Sequence, residues 1–221
     1  MSSRSLEPPT RDARTRGIPL FATDDGCAQH PIIARLTAAT APGRDLADAI
    51  HCICATHGET NALFLAAAYH PVPGVDVRWL DTAAADFAEE RAYLAALTAA
   101  VGPLPSTPGQ AQSDSAFAAL RHAFEMLATS DRVGCAAGAA IALLIDWKAF
   151  RRIFDTAADR FGVTIPGNAL PDEAVVIGAH TAPETSAAAH RAIRFGAQQA
   201  FAQHRGLLDL IDARAAARDR Q

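Results

Sequence analysis

Lysine is nearly missing from this chain of 221 residues: Lys148 is the single example, so almost all positive charge comes from arginine. The formal net charge is −4, and no basic stripe interleaved with aromatics occurs. Both absences argue against nucleic acid as a partner, because a phosphate backbone is held by clustered cations. Strand-like runs rich in Val, Ile, Thr and Tyr are scarce, VDVRWL (75–80) being the nearest candidate, and aromatics make up only 6%. The four cysteines, Cys27, Cys52, Cys54 and Cys135, form no C-x-x-C pair. Buried free thiols in a reducing compartment fit them better than a zinc site or disulfides. The longest apolar stretch, Val133 to Ile145, covers thirteen residues. That suits a core helix and is too short for a bilayer, so no membrane partner is expected. The N-terminal MSSRSLEPPTRDARTRG lacks the apolar segment of a secretory signal, and the expected compartment is the cytoplasm.

Alanine is the commonest residue, and hydrophobic types make up 50% of the chain. Alanine has the highest helix propensity, and small side chains let helices approach closely. The composition therefore predicts an all-α protein. Residues 1–43 mix Pro, Gly, Arg and Asp and read as an irregular N-terminal arm with a short helical turn near PIIARLTAA. Residues 44–218 read as a single domain of about five long helices in an antiparallel bundle. The helices are expected at about 45–68, 81–101, 111–130, 131–161 and 184–218, with one short extra helix opened by Pro171. The fourth, 131–161, is Gly/Ala-rich and apolar nearly all round, so it should be buried at the centre, with Gly134 and Gly138 admitting neighbours to its backbone. Arg4 to Arg16 and Arg214 to Arg220 read as solvated tails.

Helical periodicity then asks which polar side chains share an apolar stripe. On the first segment Leu46, Ile50, Cys54, His57, Asn61 and Phe64 fall on one face. The second carries Leu80, Phe87, Leu94 and Val101, with Glu90 at the margin and Arg91 nearly as well placed. The fourth carries Ala139, Leu143, Asp146, Phe150 and Ala157. The fifth carries His190, Ile193, Ala197, Ala200, His204, Leu208 and Ile211. The third differs, since Phe117, Leu120, Phe124 and Leu127 form its face while His122 and Glu125 point away.

Four segments thus each offer a candidate metal ligand to a common interior: His57, Glu90, Asp146 and His204. Two imidazoles and two carboxylates form an admissible shell for iron, manganese or zinc, and Asp146 is also the candidate catalytic base. The bland readings are core histidines bonded to a neighbour, Asp146 paired with an arginine from another helix, and Glu90 at the rim.

Inward carboxylates and histidines on long helices resemble the ferritin-like di-iron bundles, which supply Glu from two helices and Glu-x-x-His from two others. No Glu-x-x-His occurs here; the nearest pattern is the reversed His122-x-x-Glu125. His57 with the Gly134–Gly138 segment is similar to the histidine and glycine-bearing helix of haem-oxygenase-like folds. These likenesses imply a transition metal or haem and an oxidoreductase or hydrolase. The reading set against them is a non-catalytic binding or self-associating module, plausibly a homodimer, whose inward polar groups fix helix register. With no motif of specificity for the enzyme, the non-catalytic module is the preferred expectation.

Overall fold

The computed structural model describes residues 22–58, 62–73, 77–168, 170–172 and 185–220. It is all-helical, and among the described residues no strand occurs. A single 3-10 turn, Cys27–Gln29, leads into α1 (Pro31–Leu36), α2 (Gly43–His57), α3 (Ala62–Tyr69), α4 (Val77–Ala100), α5 (Gln110–Ala128), α6 (Cys135–Phe161) and α7 (Ala187–Asp219). The first expected segment is thus two helices, α2 ending at His57 and α3 beginning at Ala62, with Asn61 outside the described residues. The end of VDVRWL is helical, because Trp79 and Leu80 bury themselves in the core as the first turn of α4. Residues 170–172 are non-helical; the rest of the short helix expected after Pro171 lies outside the described residues, as do Arg4 to Arg16.

Local chemistry sets the helix ends. Gly134 takes a left-handed conformation (φ 104°) and starts α6 four residues later than the periodicity suggests; Gly162 (φ 72°) ends it. The Ser186 side chain accepts a hydrogen bond from the Ala189 amide (3.1 Å) and starts α7. The His30 ring does the same for α1, accepting from the Ile32 amide at 3.3 Å. Cys27, Ile32, Ile33 and Leu36 are buried, so the later part of the arm packs into the core rather than trailing from it.

Helix α6 is the centre, as its composition predicts, with buried residues on every face from Cys135 to Ala158. Its main partner is α7. Gly138 lies against the Ile193 carbonyl, and Gly196 lies against the Cys135 carbonyl and the Ala139 amide, so a β-carbon at either glycine would clash with backbone. Pairing of Gly138 with Ile193, and of Asp146 with His204, means that α6 and α7 run parallel. Helix α2 runs antiparallel to α7, since Asp45 meets Arg218, Asp48 meets Arg214, and His57 meets His204. The α6–α7 connection must therefore return along the whole of α6, about 40 Å at 1.5 Å per residue. Residues 162–186 are long enough to do so.

The expected solvated tail at Arg214 to Arg220 is corrected in part. Arg214 and Arg218 are buried and continue the inward stripe of α7 one and two turns past Ile211. Arg214 donates from Nη2 to Asp48 Oδ1 (2.7 Å), and Arg218 donates from Nη2 to Asp45 Oδ1 (2.9 Å). Arg218 Nη1 also lies 2.7 Å from Asp48 Oδ2. The Thr107 hydroxyl accepts from both arginines, at 3.2 and 3.0 Å, and donates to the Pro105 carbonyl at 3.1 Å.

Two outcomes follow for stability. Gly138→Ala should lower it by about 1–3 kcal/mol, the usual range for overpacking, or more where carbonyl and β-carbon cannot separate. A chemical-denaturation midpoint equal to that of the parent would remove the close crossing. Asp48→Ala should cost about 3–5 kcal/mol, because it strands buried guanidinium groups; a loss below 1 kcal/mol in the same assay would mean that the network is solvated.

Candidate functional site

Three of the four sequence-derived ligands converge. His204 is 0% exposed, Asp146 2% and His57 3%. Among the described residues Asp146 pairs with an imidazole and a backbone amide rather than with an arginine. Its Oδ2 accepts from His204 Nδ1 at 2.8 Å and its Oδ1 accepts from the Cys27 amide at 2.7 Å. The Cys27 thiol also bonds to this carboxylate, and burial, then the adjoining Asp146 charge, pushes that thiol far above its ordinary range. Cys27 is a neutral donor here and not a nucleophile.

The His57 ring meets the His204 ring edge to face, with centroids 5.1 Å apart at 68°. Around the pair stand Phe124, Trp147 and Phe150: Phe124 is 5.0 Å from His57 and 5.1 Å from His204, Trp147 is 5.7 Å from His57, and Phe150 is 5.2 Å from His204. The Nε2 atoms of both histidines are buried without a hydrogen-bond partner. Burial, with a smaller contribution from neighbouring His204, holds the His57 pKa well below 6.5, so its ring is neutral.

Glu90 is not brought to this centre. It is buried, as its place on the α4 stripe requires, and Arg91 is the half-buried neighbour. Glu90 accepts from Trp147 Nε1 at 3.0 Å and pairs with Arg151, while the Trp147 ring packs against His57. Arg151 also donates to Asp155 (2.8 Å), and Tyr93 donates its hydroxyl to the same carboxylate (3.1 Å). Burial raises the Glu90 pKa, against the opposing pull of Trp147 and Arg151. Its indole and guanidinium partners make it one member of a structural ion-pair network.

His122 and Glu125 are exposed and form only a local pair at 3.5 Å, as their phase predicts. Cys27, which completes the Asp146 environment, lies in a segment with no periodicity to reveal it. Arg214 and Arg218 were legible by three-four spacing from Ile211. All four cysteines are free, three buried and Cys54 half-buried.

Three cavities lie away from this centre. One of about 680 Å³ is lined by Pro73, Val133, Ala192 and Phe195 with Arg132 and Arg191. A second of about 500 Å³ lies among His51, Cys54, Thr98 and Arg121. A third of about 270 Å³ lies beside Lys148 and Arg152. None of these three is lined by His57, Asp146 or His204.

The depressed His57 pKa has a definite sign in stability. Unfolded, this histidine takes up a proton near pH 6.5; folded, it refuses one. The unfolded state then binds more protons, so the contribution is complete above pH 6.5 and is lost as pH falls through it, at about 1.4 kcal/mol per pH unit. Denaturation midpoints of the parent and His57→Leu between neutral and mildly acid pH should diverge, the variant showing the shallower decline. Parallel curves would mean that His57 is reached by water.

No curated protein and no solved structure matches the chain, and the resemblance to ferritin-like and haem-oxygenase-like bundles is not shown. No helix among the described residues is long and apolar enough to cross a membrane. One family model does match, over residues 22–219, which takes in every helix from α1 to α7 together with the polar centre. The chain belongs to that family, the family of unknown function DUF6975.

Proposed function

We propose that this protein is a non-catalytic helical module that works by association, and that its buried polar centre fixes how the helices pack. The observation that carries the reading is the sealing of the centre. Asp146, the candidate base, already accepts from an imidazole, an amide and a thiol, behind a wall of Phe124, Trp147 and Phe150. A general base must be within reach of a substrate proton, and Asp146 is 2% exposed with both of its oxygens already engaged. The alternative, a metal- or haem-dependent oxidoreductase or hydrolase using Asp146, requires a route for substrate between these rings.

The partner in this reading is a second copy of the chain. An alanine-rich interior buries little apolar area per residue, and association adds burial. The α6–α7 crossing leaves large apolar groups outside, with Val133 51% and Phe195 39% exposed. Arg132 lies over the Phe195 ring at 4.9 Å, an arginine–aromatic pairing suited to a protein contact.

Light scattering over a dilution series should report a dimer that dissociates with dilution. Phe195→Asp should yield folded monomer with a melting temperature lowered toward that of the dissociated parent. A parent that is monomeric throughout the series, or a variant as dimeric as the parent, would defeat this assignment.

A further inference from the structure

The groove of about 680 Å³ beside the start of α7 has the size of a ligand pocket, a class that runs from about 300 to 1,000 Å³ and is mostly apolar with a few polar groups. Alanines at the start of α7, among them the buried Ala189 and Ala192, leave a hollow that larger side chains would fill. Val133, Phe195 and Pro73 stand around it.

Its edges are fixed by the fold. The Thr185 hydroxyl donates to the Pro73 carbonyl at 2.6 Å, which ties the turn after α3 to the start of α7. Gly134, next to Val133, packs against Ile193 and the Ala189 carbonyl. A hollow already in place leaves little ordering to be done when a ligand enters.

Charge narrows what the hollow takes. Arg35, Arg151, Arg205, Arg214 and Arg218 each sit on a carboxylate. Among the described residues Arg132 and Arg191 do not, and no carboxylate lines the groove. The Arg132 guanidinium is held instead over the Phe195 ring, which leaves N–H donors for an acceptor. Ser186 adds a hydroxyl whose oxygen accepts from the Ala189 amide, so its hydrogen is left to donate. This residue also opens α7, and the N-terminal end of a helix favours negative charge.

We propose that this groove binds one amphiphilic anion, a single acyl or alkyl chain ending in a carboxylate or a phosphate. Arg132 and Arg191 hold the acidic head, and the chain lies along Val133, Ala192 and Phe195. A small polar anion would leave the apolar lining in water, and a neutral hydrocarbon would leave both arginines without counter-charge. No His, Cys, Asp or Glu lines the groove, so the ligand is held rather than transformed. The groove is open on one side, and a second copy meeting this face through Val133 and Phe195 covers it. Only that cover rests on the association reading; the site itself belongs to one chain.

The test titrates delipidated full-length protein with laurate, kept below its micelle-forming concentration, by isothermal titration calorimetry. Dodecyl phosphate, dodecanol and acetate are run in parallel. Expected is one laurate or dodecyl phosphate per chain, the tighter of the two naming the head. Dodecanol, which lacks the charge, and acetate, which lacks the chain, should each bind about tenfold more weakly or not at all. Arg132→Gln and Arg191→Gln, both at exposed positions, should each weaken binding about three- to tenfold, with the larger effect at low salt. Ala188→Trp, exposed and set in the groove, should fill it and abolish binding while circular dichroism remains helical. Neither anion bound by the folded parent, dodecanol bound as tightly as laurate, or binding unchanged in the three folded variants would each overturn the proposal. Light scattering on the same samples separates the two readings. Anion bound by a protein that is monomeric at every concentration would sink the association reading and keep this site, and a dimer that binds neither anion would do the reverse.

Discussion

The contact between the backbones of α6 and α7 is the constraint from which the rest of the molecule takes its register. Gly138 and Gly196 remove the side chains that would hold these two helices apart. Asp146 and His204 stand eight residues further along α6 and α7 respectively, about 12 Å of rise on each helix. Because the helices run parallel, equal steps keep the carboxylate opposite the imidazole. The hydrogen bond at 2.8 Å is thus a consequence of where two glycines sit. Packing and polarity specify the same alignment, which is how a sequence favours one arrangement of helices over its neighbours.

Three buried polar groups are distributed through the bundle, and each ties a different pair of long helices. Glu90 with Arg151 joins α4 to α6; Asp146 with His204 joins α6 to α7; Asp45 and Asp48 with Arg214 and Arg218 join α7 to α2. Alanine-rich surfaces slide easily against one another because they have few distinctive knobs. Replacing a small apolar pair with another costs little, so burial alone would permit several registers. Matched charges and imidazoles penalise every register but one, since a shifted helix leaves a charged group buried and unpaired.

Much of this was legible in the sequence, and the reason is helical phase. The stripes containing His57, Asp146 and His204 are buried as the three-four spacing requires, and Glu90 rather than Arg91 is the inward member of its pair. Phase gives direction but not height or partner. It could not tell that Trp147 separates Glu90 from His57, nor that Asp146 meets an imidazole rather than an arginine. The parallel pairing of α6 and α7 was hidden because helical phase does not report the direction in which one helix follows another. Cys27 was hidden for a similar reason, since a 3-10 turn of three residues carries no period. Arg214 and Arg218 were a different case. Their spacing from Ile211 was visible, but a run of arginines at the end of a helix suggests solvent more readily than a buried network.

The pairing of the first long helix with the last stretch of α7 has a bearing on synthesis. Asp45 and Asp48 emerge early from the ribosome, and the guanidinium groups that neutralise them follow some 170 residues later, in bonds whose sequence separations are 173 and 166. Until then α2 carries two uncompensated carboxylates on a face meant for the interior. Such a helix cannot dock permanently on the growing chain, because ionised groups resist leaving water. The nascent protein is thereby kept from committing to a premature core, and closure waits for the arginines of α7 to be made.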